Sequence, residues 1–438
     1  MGQNQFSRRA ILAAGAAPVL RAEDERLAME GGRPSGSKLD HAWPVYGQEE
    51  ESALLGVLRS GHWGRTTGQR VSEFEKQYAQ LMGARHCVAT ANGTSALIAA
   101  LNAIDIGPGD EVLIPPYTFV ATLNVVLLQH ALPVFVDSDI ESFQMDASKI
   151  EAAATPETRA IVPVHIGGSP ADLDAILPLA KKRGWMVVED ACQAHLGEWR
   201  GKRLGTLGDC GCFSFQASKN LNSGEGGALL TANEDLYNRA WAFHGNGRAR
   251  QAALAGFAYA SNGANLRLTE FQAALLMAQM GRLEAQSKIR ETNAAYLTRM
   301  LQEIPGIVPA KLYPGSTRSA WHLYMFRYDN RAFDGLPRAQ FLRALAAEGI
   351  PASGGYTPLN QEPFLQRVLE SRHYQRIYGA KRIASWKERN RCPANDRLCS
   401  EAVWFTQTQL LGPREEMERI ATTIRRIQKR AGNLKTSG

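Results

Sequence analysis

The sequence predicts an α/β protein with a large, mostly parallel sheet and a smaller second α/β domain, on three observations. Six short apolar or β-branched runs, EVLIPPYTF, LPVFVD, AIVPVHI, WMVVEDA, CGCFSF and GALLTA, follow one another between Glu111 and Ala232. Their apolar residues are continuous rather than alternating, as in strands buried on both faces. Helical stretches long enough for crossovers separate them, among them TSALIAALNAI, FVATLNVVLLQHA and ADLDAILPLAKKRG. A long helical region from Leu268 to Ile304 follows, and beyond it PGIVPAKLYPG breaks the pattern and WHLYMFRY opens the second α/β segment. The domain boundary is expected in that helix, with a large domain over 39–290 and a small one over 291–438.

Residues 1–38 read as a leader and a flexible joint, because GGRPSGSK, Gly31 to Lys38, carries the Gly/Ser/Pro composition of a linker. What precedes the joint is expected to lie outside the fold. Within it, SRRAILAAGAAPVL, Ser7 to Leu20, resembles a twin-arginine export signal, although Ile11 replaces the usual aromatic and no clean A-x-A site follows. Its apolar run is too short for the roughly twenty residues of a membrane span, so stable membrane insertion is not expected. Localisation stays open between periplasm and cytoplasm.

The 438 residues, 44% hydrophobic and 21% charged, place the chain among ordinary globular proteins. Much of the formal charge of +7 sits at the two ends, in residues such as Arg8, Arg9, Arg425 and Arg426, and no nucleic-acid motif accompanies it. Cys210-x-Cys212 lacks the two-residue gap of zinc sites, so no metal is expected. Cys392 and Cys399 could pair in an oxidising compartment, but buried free thiols are the default.

Ligands of open α/β sheets gather at the carboxyl ends of the strands, and four turns there carry chemistry. In ANGTSAL, Gly93 lets the backbone approach closely, while Thr94, Ser95 and the first-turn amides make either an anion seat or an ordinary helix cap. In PPYTFVATLN, Phe119 is core or a flat platform for an aromatic ring. In VVEDACQAHLG, Asp190 ends an apolar strand, where its carboxylate needs a cation or amide donors; Gln193 and His195 are either site residues or satisfied neighbours. In CFSFQASKNLNSGEGG, Ser214 and Lys219 stand between a strand and a glycine cluster, and most loop lysines are simply solvated.

Taken in order, G-T-S-A-L, T-F-V-A-T, E-D-A-C-Q-A-H and F-S-F-x-x-x-K-x-x-x-x-G-E-G-G resemble the DegT/DnrJ/StrS family of pyridoxal-phosphate sugar aminotransferases. PVHIGGSPADLDAI, GANLRLTEFQAA and GYTPLN continue the likeness from about Trp43 to Ile427. The resemblance implies an aspartate-aminotransferase-like fold (fold type I), with pyridoxal 5′-phosphate bound as a Schiff base to Lys219 and Asp190 facing the pyridine nitrogen. It implies Phe119 stacking on the ring, Gln193 beside it, and Gly93, Thr94, Ser95 and Ser214 around the phosphate. Asn265 would reach the phosphate of a neighbouring subunit, which implies a homodimer with shared sites.

One departure bears on substrate. Where the family often shows H-Y-x-P-L-H, Gly355 to Asn360 reads GYTPLN, without either histidine. With EAVWFTQTQLLG, Glu401 to Gly412, this is similar to members that aminate keto-inositols such as scyllo-inosose with glutamine or glutamate. Two alternatives are an aminotransferase for nucleotide-linked keto-sugars and a non-catalytic cofactor-binding sensor. Loss of Lys219 or Asp190 would mark the sensor, and a histidine at the lysine position would mark the related dehydratases. Neither change is present.

Overall fold

The computed structural model describes residues 26–250 and 259–435. The leader motif Ser7–Leu20 lies outside them. Seven strands build the main sheet: β1 (His86–Thr90), β2 (Glu111–Ile114), β3 (Leu132–Phe135), β4 (Thr158–Ile161), β5 (Met186–Asp190), β6 (Cys210–Ser214) and β7 (Gly227–Thr231). Their order across the sheet is β1-β7-β6-β5-β4-β2-β3. The pairs from β3 to β6 are parallel, and β7 runs antiparallel to both β6 and β1. The expected mostly parallel sheet is therefore present. Its one reversed strand follows from the short lysine-bearing loop 215–226, which returns the chain without a crossover helix. β1 was not among the six expected strands. Its sequence, HCVAT, mixes polar residues into the run, yet its last four residues are buried.

Successive residues of one strand enter cores on opposite faces. Val112 and Ile114 pack with Ala96, Leu97 and Ala100 of the helix Gly93–Ala103. Leu113 packs with Ile176 and Ala180 of the helix Leu173–Arg183. This period of two explains why the strands read as continuous apolar runs.

The helix Glu270–Gln302 spans both domains. Thr269 caps it, its hydroxyl accepting from the amide of Gln272 at 3.4 Å. Ala273, Leu276 and Leu283 belong to the core of the large domain, whereas Ala294, Leu297 and Leu301 join Ile420 and Ile424 in the core of the small one. The small domain has an antiparallel sheet in which β9 (Leu323–Tyr328) is flanked by β8 (Ile307–Pro309) and β10 (Ala402–Thr406).

Two segments cross the expected domain limits. Leu27 precedes the Gly-rich joint but is 1% exposed, and with Leu39 it fills the small-domain core beside Ile420 and Phe341. The expectation that everything before the joint lies outside the fold fails there. A hydrophobic side chain and a Glu30–Arg430 ion pair anchor what composition alone marks as a tether. The second segment is the run of helices from Pro363 to Arg389, whose Leu365, Tyr374 and Trp386 pack into a large-domain core. They blunt the sheet edge at β3. Tyr374 donates to the carbonyl of Ala131 at 2.9 Å, Trp386 to that of Pro133 at 2.7 Å, and Asn390 Oδ1 accepts from the amide of Phe135 at 2.6 Å.

All six cysteines are unpaired, including Cys392 and Cys399. Among the described residues no helix is long and apolar enough to cross a membrane. If Leu27 is a core residue, Leu27→Ala lowers unfolding stability by about 2–4 kcal/mol; urea denaturation measures it, and an unchanged midpoint would return the segment to the solvent.

Candidate active site

The carboxyl ends of the parallel strands open into a cavity of about 630 Å³. Gly93, Thr94 and Phe119 from two helix starts line it, as do Asp190 and Gln193 after β5 and Ser214 and Lys219 after β6. Seven of the nine expected site residues thus share one wall, the exceptions being Ser95 and Asn265. Ser95 is 6% exposed, and its amide donates to Asn92 Oδ1 at 2.8 Å. Asn265 is exposed on a segment that pairs with the end of β1, where Leu266 accepts from the amide of Ala91 at 2.7 Å.

Asp190 is only 5% exposed, and both its oxygens are engaged. Thr122 Oγ1 donates to Oδ2 at 2.8 Å, and the Cys192 amide donates to Oδ1 at 3.3 Å. Thr122 has one hydroxyl hydrogen, so the 3.0 Å contact with Thr118 Oγ1 has Thr118 as donor. The residue before it, Glu189, anchors the strand end from the other face. Its Oε2 accepts from His165 Nε2 at 2.9 Å and its Oε1 from the amides of Leu207 and Gly208, both at 2.7 Å. Burial pushes the Glu189 carboxyl up, but the His165 bond and the backbone amides outweigh it and hold the group below its ordinary value.

Lys219 sits on a turn woven into its surroundings. Its amide donates to the carbonyl of Gln216 at 2.8 Å, and the carbonyl of Ala217 accepts from the Trp43 indole at 2.9 Å. Asn220 Nδ2 donates to the Ala320 carbonyl at 2.7 Å, tying the loop to the second domain. The lysine side chain has no hydrogen bond or ion pair among the described residues. Burial pushes its amine below the ordinary lysine value, while Cys192 and Asp190 oppose that shift. A half-buried amine without a partner suits a carbonyl group that can bond to it.

Close backbone approach builds the other end of the cavity. A Cβ on Gly93 would lie 2.8 Å from Ser214 Cβ and 2.9 Å from Cys192 Sγ, and one on Gly227 would lie 2.3 Å from the Asn92 carbonyl oxygen. The amides of Gly93 and Thr94 open their helix without an intrahelical partner, next to the Ser214 side chain, which together suit a phosphate. Phe119, 59% exposed where it lines the cavity, offers a flat face to an aromatic ring. The residues present therefore fit pyridoxal phosphate.

His195 is a satisfied core residue. Nε2 donates to the Ser214 carbonyl at 2.9 Å, so Nδ1 accepts from the Tyr78 hydroxyl at 3.1 Å and the ring is neutral. His322, Tyr356 and Trp404, outside the four turns, also line the cavity, as does Thr122, which stands within PPYTFVATLN but is given no role there. Tyr356 falls inside GYTPLN, the segment that departs from the usual family pattern, and Trp404 inside EAVWFTQTQLLG, the segment read with it. Gly355, in place of a histidine, has a φ of +83°, and a Cβ there would lie 2.5 Å from the Tyr117 hydroxyl. Asn360, the other replaced position, donates to the Asn390 carbonyl at 3.0 Å and is not on the cavity wall.

Burial lowers His195 to about 4 and His244 to about 3, and drives His322 well below its usual value. Depressed histidines contribute stability that is present above the ordinary value near 6.5 and is lost as pH falls toward the folded values. Unfolding free energy should fall between pH 6.5 and 4 by on the order of 1 kcal/mol per pH unit per histidine. Urea titrations across that range measure it, and a flat profile would contradict neutral burial.

The chain matches the DegT/DnrJ/EryC1/StrS aminotransferase family over residues 44–425. It is 35% identical over 428 residues to an L-glutamine:2-deoxy-scyllo-inosose aminotransferase of Streptoalloteichus tenebrarius, covering 93% of this chain and 99% of that one. It is 33% identical over 419 residues to an L-glutamine:scyllo-inosose aminotransferase of Streptomyces griseus, covering 92% and 98%. The crystal structure of 3-amino-5-hydroxybenzoic acid synthase superposes with a TM-score of 0.79 at 31% identity, over 92% of this chain and all of that one. Fold, cavity and sequence agree: the chain belongs to the DegT/DnrJ/EryC1/StrS aminotransferases and has the fold type I architecture expected of them.

Proposed function

We propose that this aminotransferase uses pyridoxal 5′-phosphate to move an amino group from glutamine to a keto-cyclitol of the scyllo-inosose class. The observation that carries the cofactor reading is the Lys219 amine, unpartnered among the described residues, in one cavity with the Asp190 carboxylate that Thr122 and Cys192 hold in place. When bound, the cofactor supplies a conjugated electron sink for the carbon that loses its proton. Lys219 is the amine that would attach to its aldehyde and, once released, carry the proton to and from the substrate carbon. Its lowered proton affinity suits both tasks. Asp190 holds a proton at the ring nitrogen, and the Thr122 and Cys192 donors keep that carboxylate aimed. Gly93, Thr94 and Ser214 bind the phosphate, Phe119 covers the ring and Gln193 lies beside it.

Two observations support the acceptor. The relatives named above act on inososes with glutamine. In addition, no arginine lines the described cavity wall, which suits a neutral polyhydroxy ring better than a nucleotide-linked sugar with its diphosphate. In this reading the protein is a homodimer, and the exposed Asn265 serves the cofactor phosphate of a second copy. Retention of both Lys219 and Asp190 argues against a non-catalytic sensor.

Purified enzyme supplied with glutamine or glutamate and with scyllo-inosose, 2-deoxy-scyllo-inosose or nucleotide-linked keto-sugars tests this directly. The expected product is an aminocyclitol formed with glutamine. Lys219→Ala abolishes turnover, and Asp190→Asn lowers it at least about a hundredfold, each pKa unit lost at the ring nitrogen being worth about 1.4 kcal/mol. Turnover of nucleotide-linked sugars alone would overturn the acceptor, and transfer from no donor would overturn the reaction.

A further inference from the structure

One hydroxyl on the cavity wall has no task in the chemistry outlined above. Tyr356 comes from the second domain and lines the cavity beside Gln193. Gln193 Oε1 accepts from the Gly167 amide at 2.7 Å, which fixes the orientation of the side-chain amide and turns its nitrogen toward Tyr356. Gln193 Nε2 then donates to the Tyr356 oxygen at 3.1 Å. An amide nitrogen only donates, so the phenol oxygen is the acceptor and its own hydrogen must be given elsewhere. Among the described residues no protein atom takes it.

The ring cannot turn to find an acceptor. Tyr117 packs against it edge-on at 5.3 Å and 79°, and Trp404 does the same at 4.8 Å and 89°. The preceding Gly355 brings the backbone so near Tyr117 that any side chain there would collide with that hydroxyl. Burial pushes the phenol of Tyr356 up to about 12, so it keeps its proton through the working pH range. The result is a rigid, neutral, single-hydrogen donor on the cavity wall.

We infer that Tyr356 is a specificity-determining residue whose O–H donates to the acceptor hydroxyl on the carbon next to the reacting carbonyl. The inference rests on the keto-cyclitol reading above. In scyllo-inosose every carbon except the carbonyl carries a hydroxyl, whereas the 2-deoxy compound has a methylene beside the carbonyl, and a preorganised donor distinguishes the two. A site built to bond a hydroxyl rejects the analogue that lacks it, because the protein group is then left unpaired. Trp404, standing against the same tyrosine, supplies an apolar wall that offers no competing acceptor.

The test compares kcat/KM of the holoenzyme and its Tyr356→Phe variant on scyllo-inosose and 2-deoxy-scyllo-inosose with glutamine, alongside a pH titration of the bound-cofactor absorption. The wild type should prefer scyllo-inosose about tenfold, the scale of one hydrogen bond. Tyr356→Phe should lose that preference through a higher KM for scyllo-inosose, change the deoxy compound less than about twofold, and leave the spectral titration unmoved. Equal losses on both ketones, or a wild type without preference, would overturn the assignment. A shifted titration with the preference intact would also overturn it, by giving the hydrogen to the cofactor. Turnover of neither ketone by the wild type would instead remove the keto-cyclitol reading, and this inference with it.

Discussion

A buried amine held without a hydrogen bond or ion pair among the described residues is the constraint on which this structure turns. Holding Lys219 half-buried, with no hydrogen bond or ion pair among the described residues, is unfavourable for a charged ammonium, and the surrounding loop is built to hold it there. The indole of Trp43 grips the turn from the N-terminal side, and Asn220 grips it from the second domain. Gly224 and Gly226 take φ values of +83° and +156°, letting the loop fold back against Phe215. A solvated surface lysine needs none of these fixings. A lysine that must meet an aldehyde at a set position needs all of them.

The sheet supplies the opposing charge with similar care. β5 ends in two acids of different kinds, pointing to opposite faces as strand residues must. Glu189 is spent on structure, collecting His165 and loop amides. Asp190 faces the cavity with threonine and amide donors that fix its position. Both domains complete the wall, since His322, Tyr356 and Trp404 come from the second one. The helices Pro363–Leu369, Arg372–Tyr378 and Ala380–Arg389 lock that excursion onto β3, while Tyr356 packs beside Tyr117 of the large domain and Trp404 is placed by its own strand β10.

The sheet and the lysine end of the site were legible because both depend on local pattern. Strands buried on two faces must be apolar throughout, and Gly93, Asp190, Ser214 and Lys219 stand where such strands end. The reversed direction of β7 was not legible, since an apolar run carries no sign of its orientation. Leu27 was hidden by the glycines that follow it. The helical run after Pro363 shows that a face is buried but not against which domain. Tyr356 and Trp404 lie far along the chain from Gln193, and only their packing reveals that they close the same cavity. Thr122 lies within PPYTFVATLN, but that its hydroxyl bridges Thr118 and Asp190 shows only in the fold.

The most direct measurement reduces the holoenzyme with borohydride and maps the modified peptide by mass spectrometry. The account predicts a phosphopyridoxyl group on Lys219, within CFSFQASK, and its disappearance when glutamine is added before the reductant. A modification on another lysine, or none in a protein that binds the cofactor, would contradict the central claim.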